Sequence, residues 1–176
     1  MRSRRLLRSP IRRRGPREGS AAVEFALVAL PFCFMLFAIL ELGLVFVVDS
    51  VLENATISTG RLIRTGQAQS QQLTATTFKS QLCSRMSIFA GDCASRAYVD
   101  VREVTKFNTA VPDPMASGAF DAGSLTYNQG GAGSIVVVRV WYRQPLVTPF
   151  LSQGLSRLKD GSAMLMAVTT FRNEPW

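Results

Sequence analysis

No residue between Phe25 and Leu40 is charged, and Ala21 to Val48 holds two acids, Glu24 and Glu41. A helix that crosses a bilayer needs about 20 mostly apolar residues. In hydrocarbon a single segment can bond all of its own backbone groups only as a helix. Residues 20–48 are therefore read as one transmembrane helix. Pro31 lies inside it, where a bilayer helix adjusts locally around a proline and bends.

The formal charge of +8 is unevenly placed. Arg2, Arg4, Arg5, Arg8, Arg12, Arg13, Arg14 and Arg17 precede the span. From Ser20 onward twelve Lys or Arg face eleven Asp or Glu, a net of +1. That near-neutral remainder argues against nucleic acid as a partner. Arginines on one flank and the acidic stretch Asp49 to Glu53 on the other place the N-terminus in the cytoplasm and the rest outside. A cleavable export signal competes poorly: no small-x-small site follows Val48, and Arg4-Arg5 lies far ahead of the apolar run.

A carboxylate inside a bilayer costs about 2.5 to 3.5 kcal/mol on the lenient insertion scale. Glu41, near the outer boundary, can solvate itself. Glu24 follows a basic block and a glycine, in the order "R-E-G-S-A-A-V-E-F". That order resembles a prepilin-type leader, with a cut after Gly19 that makes Ser20 the first mature residue and Glu24 the fifth. The stretch "GSAAVEFALVALPF" is similar to the start of TadE-like minor pseudopilins of the tight-adherence (Tad, type IVc) pilus. Ala22, Val23, Glu24, Phe25, Ala26, Leu27 and Pro31 carry that resemblance as a helix-packing and assembly motif. "ISTGRLIRTGQ" and "FRNEPW" are similar to such proteins more weakly.

The resemblance implies processing at Gly19 and Ser20 by an aspartyl prepilin peptidase, and retention of the helix as an anchor. It implies other pilin and pseudopilin subunits, an inner-membrane assembly platform and membrane lipid as partners, and a role in pilus biogenesis and adhesion. It places the protein in a bacterial inner membrane with its C-terminal domain periplasmic, and leaves the extracellular pilus open as a destination. One departure is that Ser20, and not the phenylalanine common in pilins, would begin the mature chain.

Past the span the periodicity stays helical: Val48, Val51, Leu52, Ala55, Leu62 and Ile63 fall near one face, and Gly66 is a plausible stop. The expected organisation is a leader at 1–19, a span at 20–48, a helical continuation at 49–66 and an exported α+β domain at 67–176. Residues 67–72 read as a loop. A second helix is expected from about Thr74 to Phe89, with Phe78, Leu82, Met86 and Phe89 as core. Strands are expected at 98–104, where Val99 and Val101 alternate with Asp100 and Arg102, at 134–144 and at 163–173. A three-stranded antiparallel sheet packed on the long helix is the economical pilin-like arrangement.

Cys33 lies in the span and acts as a small hydrophobe. Exported Cys83 and Cys93 are expected to form a disulfide contributing about 2 to 3 kcal/mol, with two separate thiols as the alternative. The chain has no histidine, which removes the commonest general base and transition-metal ligand. No catalytic residue, metal site or cofactor is expected. "GGAGS", residues 130–134, lacks the lysine of a phosphate loop, and Asp113 and Asp121 lack calcium-loop spacing. The expected function is a non-enzymatic pilus component. The alternative is a single-span envelope protein whose exported domain binds a partner outside any fibre.

Overall fold

The computed structural model describes residues 18–116 and 119–176, and the chain divides into two units, Met1–Leu36 and Phe37–Trp176. The basic part of the expected leader, residues 1–17, lies outside the described residues. The fold is mixed α+β: a long apolar N-terminal helix, further helices and a small antiparallel sheet.

Helix α1, Glu18–Arg64, continues through Pro31. Proline has no N–H to donate to the Leu27 carbonyl four residues back. In the first unit the side chains of α1 stand exposed, among them Phe25, Leu27, Val28, Leu30 and Phe32. Successive helical positions are turned by about 100°, so these five, with exposed Ala22, Ala26 and Cys33 in the remaining arc, cover every side of the rod.

In the second unit α1 has a buried stripe of Val48, Leu52, Ala55 and Ile63. Two threonines lie in it as well, Thr56 and Thr59, each fully or nearly fully buried. Their hydroxyls donate to the carbonyls of Leu52 and Ala55 at 2.7 Å, so neither polar group is orphaned. Gly60 faces the sheet, where an added Cβ would lie 3.1 Å from both Thr169 and the Phe171 ring.

The helix stops at Gly66, whose φ of 76° suits glycine. An added Cβ there would collide with the Trp176 indole at 2.6 Å. The chain end is tied to the same place, because Glu174 N–H donates to the Arg64 carbonyl at 2.8 Å.

The loop expected at 67–72 is instead mostly one helical turn, α2, Gln67–Ser70, which buries Ala68. Helix α3, Ala75–Ser84, starts at a reciprocal cap in which Thr74 and Thr77 each bond the other's backbone N–H. It ends five residues before the expected boundary. A 3₁₀ turn at Ser87–Phe89 and helix α4, Ala90–Arg96, follow. The physical reason is the Cys83–Cys93 disulfide, whose Cα atoms are 5.4 Å apart. A straight helix would separate those positions by about 15 Å. Ser87, at φ 53°, makes the reversal.

Strands β1, Ala97–Val104, β2, Ile135–Gln144, and β3, Ala163–Arg172, form an antiparallel sheet in the order β1-β2-β3. One face of β2, Val136, Val138, Val140 and Tyr142, joins the core formed with α1, α3 and the disulfide. The opposite face is also covered, since Phe120 from the long β1–β2 connection packs against Tyr98 and Trp141. A short helix not expected from the sequence, α5, Pro149–Leu155, interrupts the β2–β3 connection.

Candidate functional site

The residues singled out for assembly lie on the first turns of α1. Gly19, Ser20, Ala22, Val23, Glu24, Phe25, Ala26, Leu27 and Pro31 are all helical and exposed. Ser20 and Glu24 are four apart and share one face, and the Ser20 hydroxyl donates to Glu24 Oε1 at 3.0 Å. Among the described residues the other carboxylate oxygen, Oε2, has no partner. Glu24 is thus an exposed acid on an apolar helix, with one oxygen bonded one turn back along its own helix. Gly19 has open space where a Cβ would stand.

Residues 19–61 match the family model described as TadE-like protein. The match begins at the glycine of the expected cut, takes in every residue of the motif and runs along α1 to the turn before its end. It associates the chain with Tad pili and their components in general, and α1 is long and apolar enough to serve as a single-span anchor. No curated protein and no solved structure matches the chain.

The second unit holds two further carboxylates with built surroundings, Asp100 outside the TadE-like match and Glu41 within it. Asp100, which alternates with Val99 and Val101 along β1, is fully buried. It lies opposite Arg139 across the β1–β2 pair. Arg139 donates to Asp100 Oδ2 through Nε at 3.0 Å and also through Nη2, while Arg102 Nε donates to both oxygens at 2.9 and 3.0 Å. The Thr126 N–H adds a bond at 2.8 Å.

Burial alone would raise the Asp100 pKa, but the Thr126 N–H and the two guanidinium groups outweigh it and hold the carboxyl below its usual range. The same arginines reach on to the β1–β2 connection, Arg102 to the Ser124 carbonyl and Arg139 to the Pro112 carbonyl. Asp100 is therefore the centre of a lock between sheet and loop. Periodicity could not reveal it, because the cover comes from a loop without periodicity.

Glu41, read as a self-solvating boundary residue, has specific partners. Its carboxylate accepts from the backbone N–H groups of Val147 and Thr148, just ahead of α5, with the Thr148 bond at 2.8 Å. The sequence signal for α5 was Thr148-Pro149, a cap residue followed by proline in the first helical turn. Asp113 and Asp121 bond the N–H groups of Met115 and Gly123, as turn residues do.

Proposed function

We propose that this chain is a minor pseudopilin, a non-enzymatic structural and assembly component of a Tad pilus. A prepilin peptidase acts on the cytoplasmic side, cuts after Gly19 and leaves α1 as the inner-membrane anchor. The domain beyond it is periplasmic. The carrying observation is the TadE-like match over residues 19–61, with Glu24 at the fifth position after its first glycine.

The chemistry follows from the half-satisfied carboxylate. Cutting the Gly19–Ser20 bond creates an ammonium group about one helical turn from Glu24. When helices of pilin subunits pack side by side, the ammonium of one subunit pairs with the Glu24 carboxylate of its neighbour where water is scarce. Leaving either charge unpaired there is costly, so the pair sets the axial register of the subunits. The apolar side chains of α1 around Glu24 supply the rest of the contact, and the assembly platform and membrane lipid hold the subunit beforehand.

Replacing Glu24 by Ala tests this reading in the native host. The variant should insert in the membrane as the parent does and lose pilus assembly. Unchanged piliation would remove the pairing role and leave a tethered envelope protein that binds its partners outside a fibre.

A further inference from the structure

The segment around α5 is apolar, exposed and unexplained by packing. Val147 is 88% exposed and Phe150 78%. Leu42 of α1 lines one apolar cleft with Phe150, Leu151 and Leu155. The Glu41 carboxylate holds the segment against the helix through the Val147 and Thr148 N–H groups.

Glu41 is the first charge after the uncharged stretch from Phe25 to Leu40. At 1.5 Å per residue that stretch spans about 24 Å, so Glu41 falls at the far edge of a hydrocarbon layer about 30 Å thick. The exposed face of α5 thus continues the exposed apolar surface of α1, formed here by Phe37, Ile39, Leu40 and Leu44. Between Gln144 and Lys159 there is no acid, and Arg157 and Lys159 are exposed immediately after α5.

We propose that Val147–Leu155 is a membrane-docking segment whose occupant is the lipid bilayer. Val147 and Phe150 enter the boundary between headgroups and acyl chains, while Arg157 and Lys159 face lipid phosphates. The two N–H bonds fix the depth of α5 relative to α1 and satisfy Glu41 at a level where water is depleted. Docking at a second point along the chain restrains the domain against the bilayer surface. The inference rests on the reading of α1 as a membrane anchor.

The test uses the full chain with Cys33 replaced by Ser and the disulfide kept oxidised, in vesicles of phosphatidylethanolamine and phosphatidylglycerol. Single cysteines at Val147, Phe150, Leu30 or Gln71 carry an environment-sensitive fluorophore, and lipids bearing a nitroxide near the headgroup or deep in the chain act as quenchers. Val147 and Phe150 are exposed, so labelling them leaves the core intact. Gln71 follows the end of α1, about 35 Å along the helix from Glu41, and reports water.

The probes at 147 and 150 should lose most of their fluorescence to the shallow quencher, Leu30 should respond to the deep one, and Gln71 to neither. A probe at 150 as wet as Gln71, with Leu30 still quenched, overturns the docking and spares the anchor. A dry but unquenched probe at 150 overturns it in favour of a protein neighbour. An unquenched Leu30 overturns the anchor and the docking together.

Discussion

Between Gly19 and Leu36, α1 turns apolar side chains to every side and leaves them exposed, whereas between Val48 and Ile63 the same helix buries a stripe in a finished core. The acids differ in the same way. Asp100 is fully buried with two arginines and a backbone N–H around it, and Glu24 has a serine from its own helix. A region that satisfies its own groups specifies a domain. One that leaves apolar surface and a carboxylate oxygen unmatched is the region on which the proposed encounter with lipid and a second subunit depends.

The largest effect that sharpens this contrast is expected at Asp100. Replacement by Ala strands the Arg139 guanidinium in a buried site and should cost about 3 to 5 kcal/mol, read as domain unfolding in detergent by the fluorescence of buried Trp141. The lowered pKa gives the parent a matching acid sensitivity. A carboxyl whose pKa falls on folding contributes its full stability above the unfolded value of about 3.9. That contribution is lost as the pH drops through the lower folded value. The Ala variant should lack this component of acid unfolding.

The two halves of α1 can be compared directly with one substitution type. Leu52→Ala opens a cavity in the core and should lower domain stability by about 2 to 5 kcal/mol. Leu27→Ala, on the exposed half, should leave the same unfolding curve within about 0.5 kcal/mol. Equal losses at the two positions would break the comparison. A smaller step, about 2 to 3 kcal/mol, is expected when Cys83 and Cys93 are both replaced by Ser, since that removes a restraint on the unfolded chain.

Much of the architecture was legible because it rests on period and composition. The 3.6-residue stripe through Val48, Leu52, Ala55 and Ile63 and the β-branched run Ile135–Gln144 follow from side-chain chemistry that any local window shows. What escaped depends on partners distant in sequence. Thr56 and Thr59 are buried because each hydroxyl can use its own helix. Asp100 is buried because Arg139, 39 residues away, and a loop segment meet it. Helix α3 ends early because its chain folds back at Ser87 to join Cys93. Glu24 is the reverse case: its one bond, from Ser20, is local and plain from sequence.

The central claim is that the chain is cut so that its new terminus can neutralise Glu24 on a neighbouring subunit. Mass spectrometry of the membrane form from its native host, with and without the prepilin peptidase, tests it most directly. The account predicts a product beginning at Ser20 that disappears when the peptidase is deleted. A chain still beginning at Met1 in the presence of the peptidase would contradict it.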